Sequence, residues 1–170
     1  MRKLTQITTI VLALFFIVPS VHAQKFGYIN SQQLMQDIPE VKEANSNIET
    51  FKSQLQKKGQ DMVKNLQAKY ADLQKRQESG EIAPKQLEGE AQKLKDEEAA
   101  LMKFEQDSQQ KILKKSEDLI QPLMDKINAA IKEVASEKGF DYIFDYSTGF
   151  VLFADESTDV SSLIKAKLGL

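Results

Sequence analysis

The chain has 170 residues, with 23 basic and 25 acidic side chains, a formal charge of −2, one His and no Cys. That length suits one domain, and the charge balance excludes a broad nucleic-acid binder, which would carry a net basic surface. Without Cys there can be no disulfide, no thiol catalysis and no lipidated anchor, and a single His leaves little for a Ser–His or zinc arrangement.

Arg2 and Lys3 precede an apolar run from Ile7 to Val18, followed by Pro19 and then Val21-His22-Ala23. A basic start, a short apolar stretch and small residues at its end mark a cleavable export signal. The run is short for a membrane span. Residues 1–23 are therefore expected to be removed after Ala23, an uncleaved N-terminal anchor being the alternative. Losing Arg2 and Lys3 takes the formal charge from −2 to −4, and the only His, His22, leaves as well. An exported chain without disulfides must find its stability in packing or oligomerisation.

Phe26-Gly27-Tyr28-Ile29 reads as a strand, since aromatic and β-branched residues suit a pleated surface. Ser31 is a candidate cap for a short helix through Leu34 and Met35. Pro39 ends that helix, because the residue before a proline avoids helical geometry.

Residues 41–138 then form one long stretch of good helix formers, Lys, Glu, Gln, Ala and Leu, with a single clear break at 79–84. Gly80 tolerates a positive φ there, and Pro84 suits the first turn of a new helix. Two helices are predicted, over about 42–78 and about 84–138. So short a connection makes them antiparallel neighbours. At ~1.5 Å per residue the first is about 55 Å long, longer than a compact domain needs, so the hairpin should project.

The seam between the arms is legible as heptads. Val41, Ile48, Leu55 and Met62 lie seven apart, with Ala44 and Phe51 adjoining, and Leu66, Tyr70 and Leu73 carry the stripe on. Leu87, Leu94 and Leu101 repeat on the return arm, followed by Ile112, Leu119, Leu123, Ile127, Ile131 and Val134. Lys58, Lys69, Glu98, Glu105 and Ser108 interrupt it, and Gly59 and Gly89 weaken the helices, so the coiled coil should be soft. Residues 52–76 hold seven bases and two acids, whereas residues 88–107 hold seven acids and three bases. Folded back, a basic arm faces an acidic one, which fixes orientation more than stability. Pro122 interrupts the return helix level with residue 42 and near Pro39. The two prolines are read as a bend where the arms meet the body, or as a hinge that lets the arms splay.

Lys138 and Gly139 are a helix end. After it, Phe140, Tyr142, Phe144 and Tyr146 share one strand face and Asp141, Ile143 and Asp145 the other. Ser147-Thr148-Gly149 signals a hairpin, and Phe150–Ala154 an apolar strand. Asp159 or Ser161 is a candidate cap for a last helix through Leu163, Ile164 and Leu168. The chain thus divides into a signal at 1–23, a body at 24–40 and 139–170, and a hairpin at 41–138. One strand before the arms and a strand pair after them leave apolar edges that need covering by further copies.

Candidate chemistry is sparse. No phosphate loop occurs. Asp141 and Asp145, about 13 Å apart on a strand, are too distant for a glycosidase pair and read as solvated. Lys111, Lys114 and Lys115 read as a solvated face or a site for an anionic partner. Phe51, Met62, Tyr70, Met102 and Phe104 are large apolar side chains on the arms. They serve the seam, or, where they face outward, adaptable contacts.

The order of parts resembles the Skp (OmpH-like) periplasmic chaperones. The resemblance rests on Phe26-Gly27-Tyr28-Ile29-Asn30-Ser31, the proline-ended segment, the Lys/Glu/Gln hairpin, Ile131–Phe140, Gly139–Asp145, Val151–Ala154 and the ending after Thr158-Asp159-Val160. It covers essentially residues 25–168 and implies an α+β fold in which a long antiparallel helical hairpin, coiled-coil-like, projects from a small β body completed by trimerisation. Subunit contacts would then draw on Phe26, Tyr28, Ile143, Phe144, Val151 and Phe153. Client contacts would draw on Phe51, Met62, Tyr70, Met102 and Phe104, and hinge motion on Pro39 and Pro122. The implied function is that of an ATP-independent periplasmic holdase, not an enzyme, with no cofactor or metal. Its partners would be unfolded outer-membrane β-barrel proteins and copies of itself, with the membrane surface open to peripheral contact. The best-known relatives are basic and this chain is mildly acidic, so no lipopolysaccharide site is carried over. A coiled-coil spacer or adhesin stalk of the envelope is the rival reading.

Overall fold

A computed structural model describes residues 23–170. The export-signal reading falls almost wholly on residues 1–22, outside the described residues. Strand β1 spans Phe26–Ile29 and helix α1 Ser31–Asp37. The two arms are α2, Pro39–Glu78, and α3, Pro84–Lys138. Strand β2 spans Tyr142–Asp145 and helix α4 Ser161–Leu168, with single 3-10 turns at Tyr146–Thr148 and Glu156–Thr158 between them. The fold is α+β, with a helical hairpin on a two-stranded sheet.

Local chemistry sets the boundaries. Pro39 and Pro84 both open their helices, and the residues before them, Ile38 and Ala83, are extended. Gly139 closes α3 at φ 67°, a left-handed conformation that costs glycine nothing, and the Phe140 N–H donates to Ala135 O at 2.9 Å. The cap of α1 differs from expectation. Asn30, not Ser31, accepts from the Gln33 N–H at 3.0 Å, because Ser31 is engaged elsewhere.

The sheet differs more. β1 and β2 pair in parallel, Phe26 opposite Tyr142 and Ile29 opposite Asp145. A parallel pair needs a long crossover, and the two arms supply it. Ser147–Gly149 does not turn a β-hairpin. The Asp145 carboxylate accepts from the Ser147 N–H at 3.0 Å and winds the chain into a 3-10 turn ended by Gly149 at φ 76°. Phe150–Ala154 consequently forms no strand within the chain. The second edge of β1 is already taken, since the Val160 N–H donates to Tyr28 O at 3.0 Å.

Two cores hold the molecule. One lies in the body and the arm base, where Ile29, Leu34, Ile38, Val41, Ile127, Ala130, Val134, Val160 and Ile164 are buried together. α4 lies on α3 there, and Lys167 pairs with Glu133 and Glu137. The other, Leu66, Leu73 and Leu94, lies towards the tip.

Candidate functional site

One face of the sheet is an exposed apolar surface of the body. Alternation along the strands turns Ile143 inward, onto the body core, and Tyr142 and Phe144 outward. Outside, Phe26 stacks on Tyr142 with ring centroids 5.8 Å apart, Tyr142 on Phe144 at 6.1 Å, and Tyr28 lies 5.6 Å from Tyr146. Phe150, Leu152 and Phe153 adjoin this face and are 91%, 90% and 84% exposed, while Val151 is half-buried. Of the six residues expected at a subunit contact, Phe26, Phe144 and Phe153 are exposed here, Tyr28 and Val151 are half-buried, and Ile143 is turned away. Tyr142, Phe150 and Leu152 join the surface and were missed. Their signal was present, because they alternate with or adjoin the residues chosen.

The carboxylates just before and at the end of β2 are not solvated bystanders. Asp141 accepts from the Lys25 N–H at 2.7 Å. Asp145 accepts from both the N–H and the hydroxyl of Ser31, at 3.2 and 2.5 Å, and from the Ser147 hydroxyl at 2.8 Å. Partial burial alone would push the Asp145 carboxyl up, but the bonds from Ser31 and Ser147 outweigh it and hold the group below the usual carboxylate range. These are structural ties between chain segments. Among the described residues no cluster of His, Cys, Asp and Glu is arranged to hold a metal ion.

Along the arms, apolar side chains divide between seam and surface. Phe51, Met62 and Phe104 are half-buried between α2 and α3. Phe104 packs beside Gly59, its Cε1 3.6 Å from the point a Cβ would occupy, an ordinary contact distance. Tyr70, read as seam, lies at its edge: it is 38% exposed, and burial and the nearby Glu98 of α3 push its phenol up from the ordinary value. Met102 and Leu113 are 67% and 70% exposed, on the outer surface of α3. Leu113 was not singled out, because it falls between heptad positions. Of the basic cluster, Lys114 pairs with Asp118 along the helix, and Lys111 and Lys114 are solvent-exposed.

Among the described residues, ion pairs join the arms only near their ends. Arg76 pairs with Glu90, and Lys69 with Glu97 at 2.5 Å, close to the tip. The Glu90 carboxyl is held below its ordinary range, chiefly by its hydrogen bond from Arg76. Lys126 reaches Glu40 at 3.0 Å at the base. The basic-to-acidic pairing read from composition is thus realised towards the tip. Pro39 and Pro122 both lie at the base, beside a cavity of about 690 Å³ lined by Met35, Val41, Ile120, Leu123 and Met124 among others. α3 continues through Pro122 as one helix. Among the described residues no helix is long and apolar enough to cross a membrane.

The fold has a solved counterpart. The crystal structure of a protein from Caulobacter crescentus CB15, described as a candidate outer membrane chaperone (OmpH-like), superposes with a TM-score of 0.74 at 16% identity, over 86% of this chain and 84% of that one. No curated protein matches the chain. The profile of the outer membrane protein (OmpH-like) family matches residues 25–168, essentially all that the structure describes, and the chain therefore belongs to the OmpH-like family.

Proposed function

We propose that the protein is an ATP-independent holdase of the periplasm, which binds unfolded outer-membrane β-barrel proteins between helical arms and keeps them from aggregating. It acts as a homotrimer. The observation that carries this reading is the pairing of an aromatic, exposed body face with long arms that bear outward apolar side chains. The body face exposes Phe26, Tyr142, Phe144, Phe150, Leu152 and Phe153 together, and a contiguous apolar surface of that kind marks an interaction site. Copies of the chain joined there would place their arms around a common space. Tyr70, Met102 and Leu113 would then offer adaptable contacts to clients of many sequences, and Phe51, Met62 and Phe104 would add to them wherever the seam opens. Family membership and the solved counterpart support a chaperone-type role.

The test is light scattering from a urea-diluted outer-membrane barrel protein. Stoichiometric amounts of the protein, without nucleotide, should suppress the scattering. Unchanged scattering would favour the spacer reading.

A further inference from the structure

Between the body core and the tip core the arms are hardly joined. From residue 45 to 65 no side chain of α2 is buried, and from 95 to 126 only Ser108 of α3 is. Among the described residues no ion pair joins residues 45–65 of α2 to α3. It holds instead a groove of about 780 Å³ between the two helices, a size typical of ligand sites. Leu55, Val63, Phe104 and Ile112 give it an apolar floor. The Ser108 hydroxyl also lines it, and is buried with no hydrogen-bond partner. An orphaned buried hydroxyl costs stability that an apolar side chain would not.

Amides share the rim with Lys52, Lys64 and Glu105. Gln56, Gln60, Gln67 and Gln109 line the groove, and their side chains bond to no other described residue. Elsewhere on the arms Gln74, Gln92 and Gln121 are tied to carboxylates four residues on. A free amide both donates and accepts. Such a rim complements the main chain of an extended peptide and does not read its sequence, while the floor takes apolar side chains.

We infer that this mid-arm groove, within a single hairpin, binds an extended polypeptide segment, with Ser108 and the rim glutamines bonding its backbone. The inference rests on the holdase reading and locates one grip of that activity inside each arm, in addition to the space between arms. A strand of an unfolded barrel protein, in which apolar and polar side chains alternate, can set its apolar side chains on that floor and its main chain against the rim.

The probe is a fluorescent, urea-unfolded outer-membrane barrel protein, and the full exported chain carries a photo-cross-linking residue at Gln60, at Gln109 or at Gln110. Gln110 is exposed and lies two residues from Ser108, hence on the opposite side of α3. Cross-links should form from Gln60 and Gln109 and not from Gln110. Ser108→Leu, which fills the groove, should raise the melting temperature and weaken client binding about fivefold, the worth of one net hydrogen bond. Ser108→Ala should weaken binding without filling the groove, and circular dichroism checks that either variant folds. A client that is bound but cross-links equally from Gln110, or is held unchanged by Ser108→Leu, overturns the groove alone. A wild-type chain that binds no client overturns the holdase reading and the groove with it.

Discussion

The Ser31 hydroxyl donates to the Asp145 carboxylate at 2.5 Å, joining residues 114 positions apart in the chain. One is the first residue of α1 and the other the last of β2. Between them run both arms, so this bond and the β1–β2 ladder close the base of the hairpin. The Asp145 carboxyl is held below its usual range, so its bonds stabilise the body above the unfolded carboxylate value of ~3.9 and are lost as pH falls through the lower folded value. Asp145→Asn should cost about 1 kcal/mol at neutral pH, modest because the site is partly open to solvent. The variant's melting temperature should also fall less than that of the wild type between neutral and strongly acidic solution. Calorimetry across that range checks both.

Gly139→Ala should destabilise the body by about 1 kcal/mol. No atom crowds the position, so the cost comes only from holding a side-chain-bearing residue at positive φ. Urea unfolding at fixed pH measures it. Gly27→Ala should cost more, about 1–3 kcal/mol, for the opposite reason. Its φ is ordinary, but the new Cβ would sit 3.1 Å from Val160 and 3.2 Å from Phe140, side chains packed in or against the body core.

Phe153→Glu should abolish self-association and leave helicity unchanged. The side chain is almost wholly exposed in the single chain and supports nothing there. A charge in a buried subunit contact, by contrast, is costly. Ile164→Ala is the contrasting variant. It empties a fully buried site where α4 meets the body core and should lower stability by about 2–5 kcal/mol. Light scattering coupled to size exclusion, with circular dichroism, separates the two behaviours.

Pro122→Ala should narrow the distribution of tip-to-tip distances between spin labels on neighbouring arms. Pro122 removes one helical hydrogen bond of α3 beside the cavity at the arm base, and alanine restores it. A distribution of unchanged width would leave Pro122 a fixed bend.

The arms were legible because their signals are local. Pro39, Pro84 and Gly139 each fix backbone geometry by their own covalent structure, and the heptads of leucine need only one neighbouring helix. The sheet was less legible because its partners are remote. Nothing near Ser147-Thr148-Gly149 reveals that Asp145 will cap the following turn, or that β1 lies alongside β2 in parallel. Tyr70 falls four residues after Leu66 and three before Leu73, on their face of α2, and it lies at the seam's edge beside Glu98 of the return arm. The aromatic alternation in 140–146 was visible, but a two-faced strand does not announce which face is inward. That was decided by α4 and by Val160, which cover the Ile143 side. The mid-arm groove was foreshadowed only as a diluted seam. Its content, one orphaned hydroxyl beside glutamine amides and an apolar floor, needed both helices in place.

Native mass spectrometry of residues 24–170, alone and mixed with a urea-diluted outer-membrane barrel protein, tests the central claim most directly. A trimer that takes up one unfolded barrel chain is expected. A monomer with no capacity for the client, or a trimer that ignores it, would contradict the account.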